Sequence, residues 1–237
     1  MKLVKSWLSV IAKFQTRHVA LHEKIYASLA AFIAILILVK VVNIAAFGGT
    51  FSLLVLGSMG ASAFLLFVIP HSPMSQPWAV IGGHFVSSVI GVACAHWLSS
   101  PALAMATAVA LSIYAMHSLQ CLHPPSAATT MIAVLGGPEI YGMGWQFCYE
   151  VVVVNAGTMV LLSLLINNLI PGRRYPLQHS HHPHHADFSQ TNYPLYPQLN
   201  EADYSWALTQ IDGVIDVTSE DLVDLYEFAA EHAKNRS

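Results

Sequence analysis

The run His123-Pro124-Pro125-Ser126 places an imidazole, two residues without N–H groups and a hydroxyl at the head of a short apolar helical pattern. Prolines suit the first positions of a helix, where backbone donors lack intrahelical partners. The N–H groups from Ser126 to Thr129 then face whatever precedes the helix, where the macrodipole adds about half a positive charge. With the hydroxyls of Ser126, Thr129 and Thr130 beside it, this end reads as an anion site wherever it lies near a membrane midplane. A proline-bent transmembrane helix, its hydroxyls bonded back to the previous turn, accounts for the same residues.

A second interrupted segment matches the first in size pattern. GASAFLLFVIP at 60–70 resembles PPSAATTMIAVL at 124–135, with Ser62 aligned to Ser126 and Ala63 to Ala127. Each is followed by a Pro- or Gly-rich loop and a long span starting near a Trp, Trp78 or Trp145. Two broken segments in corresponding halves point to a transport site, which adds Ser62 to the candidates. Glu150 is the acid set inside a predicted span, a candidate proton-coupling carboxylate or an interfacial side chain without a role. His123, at a helix mouth, is read as able to donate to an anion and to carry a proton with it.

The elements that must position these residues follow from charge. The chain has 237 residues, 55% of them hydrophobic, and a net charge of −3. Its mean hydropathy of +0.54 is too high for a water-soluble domain. Residues 1–24 carry a net +4, residues 25–170 a net −1 from Lys40, Glu139 and Glu150, and the remainder a net −6. A charge-poor block of that length is what lipid demands, since a central Lys, Arg or Asp costs about 2.5–3.5 kcal/mol. These numbers exclude a soluble enzyme and a nucleic-acid binder with a basic surface. They predict an all-α, polytopic membrane helix bundle.

Four parts follow: a basic amphipathic leader on the membrane surface (1–24), a transmembrane domain (25–172), a His/Pro-rich linker (173–200) and an acidic cytoplasmic helical tail (201–237). Within the block, spans are predicted at 25–47, 51–69, 78–98, 102–120 and 146–170, with the 12-residue helix 124–135 reaching only about half a bilayer. Basic residues flank the first and last spans, so both ends should be cytoplasmic and the number of crossings even. Four and six both satisfy that parity, depending on whether the broken segments re-enter or cross. Gly83, Ser87 and Gly91, and Ala104, Ala108 and Ser112, set small residues every four positions, which lets helices approach closely. Cys94, Cys121 and Cys148 read as small core residues. HSHHPHH at 179–185 binds a transition metal if offered one but reads as a solvated linker; no structural metal site, cofactor or nucleophile turn is expected.

At the level of motifs, GASAFLLFVIPHSPMSQPWAVIGGH (60–84) and LHPPSAATTMIAVLGG (122–137) resemble the HPP family of integral membrane proteins, named for its His-Pro-Pro motif. The resemblance implies four transmembrane helices and a transporter or channel for a small monovalent anion, since plastid and cyanobacterial members are associated with nitrite transport. It carries over His123, Pro124, Pro125 and Ser126, the turn Pro70-His71-Ser72-Pro73, and Gly82-Gly83-His84. His71 and His84 thereby join the proton-coupling candidates, although His84, like His117, reads more simply as a buried histidine satisfying a carbonyl. The expected partners are a small inorganic anion and membrane lipids, not nucleic acid, with homo-oligomerisation open. The expected location is a bacterial cytoplasmic membrane. A non-transporting scaffold or sensor that recruits a partner through its tail is the alternative.

Overall fold

The computed structural model describes residues 20–45, 56–177, 225–229 and 232. Every regular element among them is helical: α1 (Leu21–Ala45), α2 (Ser58–Val68), α3 (Pro77–Trp97), α4 (Pro101–Ser118), α5 (Ser126–Leu135), α6 (Gly137–Met143) and α7 (Phe147–Leu169). A 3-10 turn, Pro73–Ser75, precedes α3, and the first part of α7, Phe147–Val153, is wound as a π-helix. Proline opens α3 and α4, where its missing N–H removes a donor that has no partner anyway. Ser100 caps α4 by accepting from the Leu103 N–H at 3.4 Å.

Helices α1, α3, α4 and α7 have the length and hydropathy to cross a bilayer. Helices α2 and α5, with 11 and 10 residues, reach about 15–17 Å, roughly half the hydrocarbon thickness. The span expected at 51–69 is therefore a half-helix from Ser58; residues 51–55 lie outside the described residues. So do the leader up to residue 19 and the His-rich run; of the tail, 225–229 are helical.

Contacts between residues far apart in sequence set the direction of each helix. Glu23, at the start of α1, pairs with Arg173, just beyond α7. Arg173 also donates to the Phe67 carbonyl, and Asn167 to the Leu66 carbonyl, so α2 ends at this same, basal, end. Trp78 at the start of α3 donates to the Leu119 carbonyl after α4. At the opposite end His96, late in α3, stacks on Tyr141 of α6 at 4.6 Å. Helix α5 runs parallel to α3, because Gly83 abuts Ser126 whereas Gly91 abuts Thr130 and Ala133.

Among the described residues the helices alternate in direction. Helix α1 rises, α2 descends, α3 rises, α4 descends, the 119–125 segment with α5 rises, and α7 descends. The four full-length spans fit the four-helix expectation, and each half-helix adds a passage through part of the bundle. The first three passages and the last three have opposite directions, each triplet with its half-helix in the middle. This is the arrangement of an inverted repeat.

Small residues set the closest approaches. A Cβ on Gly91 would lie 2.7 Å from that of Ala133, so α3 and α5 touch almost backbone to backbone. Asn155 of α7 accepts from the Leu56 N–H at 3.2 Å and holds the head of α2. Outward faces carry Leu29, Phe32, Leu36, Trp97, Leu161 and Leu165, as a lipid environment requires.

Candidate functional site

Helices α2 and α5 begin beside each other and run in opposite directions, so their N-terminal turns overlap inside the bundle. Ser58, first residue of α2, bonds Thr129, the fourth of α5, with 2.8 Å between hydroxyl oxygens. Ser62, one turn further along α2, lies 2.9 Å from His123 Nε2 and 3.0 Å from His84 Nε2. His84 Nδ1 lies 2.7 Å from Thr129 Oγ1, and His123 Nδ1 lies 2.7 Å from the Met74 carbonyl oxygen in the basal turn. The two imidazoles meet edge to face, 5.0 Å between centroids. Ser58, Ser62, His84, His123 and Thr129 are all buried.

Counting protons fixes the direction of this chain. A carbonyl only accepts, so His123 must carry its proton on Nδ1; neutral, it accepts at Nε2, and the donor there is Ser62. Ser62 has one proton, so towards His84 it is the acceptor, and His84 carries its proton on Nε2. His84 Nδ1 then accepts from Thr129, and Thr129 accepts from Ser58. The order is Ser58 to Thr129 to His84 to Ser62 to His123 to Met74, with no buried donor or acceptor of the relay left over.

Ser126 departs from this satisfaction. Its hydroxyl is the buried side-chain polar atom among the described residues without a hydrogen-bond partner. It sits against Gly83, where a Cβ would lie 2.9 Å from Ser126 Oγ, from His123 Cβ and from the Cys121 carbonyl oxygen. Thr130 belongs to a neighbouring cluster, 3.0 Å from Ser112 of α4 and 3.3 Å from the Ser87 carbonyl oxygen.

Two expectations are corrected here, the free donors at the head of α5 and the part played by His84. The N–H groups at the head of α5 are not free: those of Ser126, Ala127 and Ala128 donate to the carbonyls of His123, Pro124 and Pro125 at 2.9–3.1 Å. The chain is already wound at Pro125, with φ −56° and ψ −23°, so the preceding carbonyls reach these donors. Glu150 and His71 are exposed and take no part in the relay. His84, expected to satisfy a carbonyl, instead bridges two hydroxyls at the centre.

The structure brings together Ser62, His84, His123 and Thr129, with Ser126 alongside; Pro125 is buried and Pro124 exposed. Ser58 and the Met74 carbonyl were not anticipated. Ser58 had a signal, since it precedes Ser62 by one helical turn on the same face. A backbone carbonyl has none.

A family model described as "HPP, transmembrane region" matches residues 16–176, the whole bundle. The chain belongs to the HPP family. This HPP protein is 35% identical over 177 residues to a transmembrane protein of Dictyostelium discoideum, covering 73% of the chain and 61% of that relative. A second transmembrane protein of the same organism is 35% identical over 130 residues, covering 53% of the chain and 42% of the relative. The chain thus spans less than two thirds of either relative. No solved structure matches the HPP chain. It is a multi-pass membrane protein.

Proposed function

We propose that this HPP protein is a transporter or channel for a small monovalent anion of the nitrite type, which passes through the Ser62, His84, His123 and Ser126 centre. The observation that carries the reading is the overlap of two half-helix N-termini at one buried polar centre between opposed repeats. Both heads border the same centre, and what each offers it is side chains, because the first N–H groups of α2, like those of α5, donate to preceding carbonyls. Lys and Arg are absent from 41–172. The head of α5 has spent its N–H groups on carbonyls, so recognition falls to hydroxyls and imidazoles, with the unpartnered Ser126 Oγ as a ready donor. In this reading the basic residues outside the first and last spans favour both ends on the cytoplasmic side of a cytoplasmic membrane. Uptake of nitrite into liposomes holding the purified chain tests the reading, and its absence overturns it.

A hydrolytic reading draws on one contact, Ser62 donating to His123 Nε2 at 2.9 Å as a nucleophile would to its base. Against it, Ser62 Oγ also accepts from His84, which holds a lone pair that attack would need, and His123 leans on a carbonyl where a triad has a carboxylate. Labelling of Ser62 by a fluorophosphonate would favour hydrolysis over transport.

A further inference from the structure

We propose that Ser62 is a switching hydroxyl that lets His123 take one added proton while His84 stays neutral, so that the centre is a proton-binding site of capacity one. The geometry contains a bond the neutral relay does not use: Ser62 Oγ lies 3.2 Å from the Ser58 carbonyl oxygen, one turn back on α2. While both imidazoles are neutral, the Ser62 proton must point at His123 Nε2, since turning it to Ser58 would leave that nitrogen buried without a donor.

Adding a proton at His123 Nε2 reverses the requirement. The new N–H donates to Ser62 Oγ, and the Ser62 proton turns to the Ser58 carbonyl. His84 Nε2–H goes on donating to Ser62, whose oxygen has two lone pairs for two donors. Every partner is then satisfied again, and no heavy atom has to move, because the distances of 2.9, 3.0 and 3.2 Å already coexist.

A second proton has no such place. It would have to sit on His84 Nδ1 and would put two like charges in rings 5.0 Å apart. Among the described residues the surroundings supply no compensating charge. Helices α2 and α5 carry no titratable side chain, and on the 119–125 segment His123 has only Cys121 for a titratable neighbour. In the basal turn His71 is exposed, on α4 His117 is exposed, and on α7 Cys148 is buried while Glu150 is exposed. On α1, Glu23 is paired with Arg173 at the base, and Lys24 and Lys40 are exposed.

Use of this proton in transport rests on the anion reading above; its binding does not. The test is nitrogen NMR of the full chain in detergent micelles with 15N-labelled histidine, the two rings assigned through His84→Gln and His123→Gln. Near neutral pH, His84 is expected to be protonated on Nε2 alone and His123 on Nδ1 alone. On acidification both rings should respond in one shared step that takes up one proton. Ser62→Thr, which keeps the hydroxyl, preserves that step, and Ser62→Ala splits it. The opposite tautomers, two separate steps in the unmodified chain, or no uptake before unfolding would overturn the proposal. Nitrite flux without the shared step defeats this proposal alone, and the shared step without flux supports it while defeating the anion reading.

Discussion

His123 Nδ1 lies 2.7 Å from the Met74 carbonyl oxygen, and that contact orients every hydrogen bond from Met74 back to Ser58. It also ties the half-helix α5 to the turn that follows the other half-helix, α2. Replacing His123 by Ala removes both functions. It leaves the Met74 carbonyl without its partner, a loss of about 1–3 kcal/mol, while Ser62 turns its proton to the Ser58 carbonyl. We predict a lower unfolding temperature in detergent and loss of anion flux. A variant as stable and as active as the unmodified chain would show the relay to be idle.

Gly83 tests the positioning of the site without touching its chemistry. Ala at this position sets a Cβ 2.9 Å from the Cys121 carbonyl, His123 Cβ and Ser126 Oγ together, so the 119–125 segment must shift. Gly60→Ala on α2 meets nothing within 4 Å and serves as the control. Gly83→Ala should lower flux at least tenfold with helical content by circular dichroism retained, and Gly60→Ala should leave flux unchanged.

The basal clasp should carry stability and not transport. Arg173 is half-buried, pairs with Glu23 and donates to the Phe67 carbonyl and to Asn167. Arg173→Ala strands Glu23 and frees a carbonyl, a loss on the order of 1–3 kcal/mol for a half-buried pair with charge-assisted hydrogen bonds. Thermal unfolding should reveal it, with Glu23→Gln, which keeps an acceptor for the guanidinium, milder. Equal melting temperatures for all three chains would contradict the clasp.

Tyr175, outside the spans, is buried and donates to the Ser75 carbonyl at 2.7 Å. Burial raises its phenol well above its ordinary range. The unfolded chain therefore loses this proton first as pH rises, near pH 10, and the folded state must keep it. The contribution is whole below about pH 10 and is lost above it. Tyr175→Phe should flatten the alkaline fall in stability and lower stability at neutral pH by about 1 kcal/mol.

The four full spans were legible because a lipid-facing helix is apolar nearly all round, and hydropathy alone delimits it. The half-helix at α5 was legible from Pro124 and Pro125. The number of passages was not, because direction is written in pairs such as Glu23 with Arg173 and Leu66 with Asn167, each about a hundred residues or more apart. His84 was undervalued for a similar reason: nothing near it in sequence shows that Ser62 and Thr129 flank its ring. The free donors expected at α5 failed on local geometry, since prolines that remove two N–H groups also wind the chain early enough to satisfy the next three.

Nitrite uptake into liposomes by the unmodified chain and by Ser126→Trp, with insertion of both checked, bears most directly on the central claim. Indole has no room in place of the unpartnered hydroxyl, which packs against Gly83, and would displace the groups of the centre. We predict uptake above that of empty liposomes for the unmodified chain, and none for Ser126→Trp. No uptake by the unmodified chain, or equal uptake by the two, would contradict a transport site at the meeting point of the half-helices.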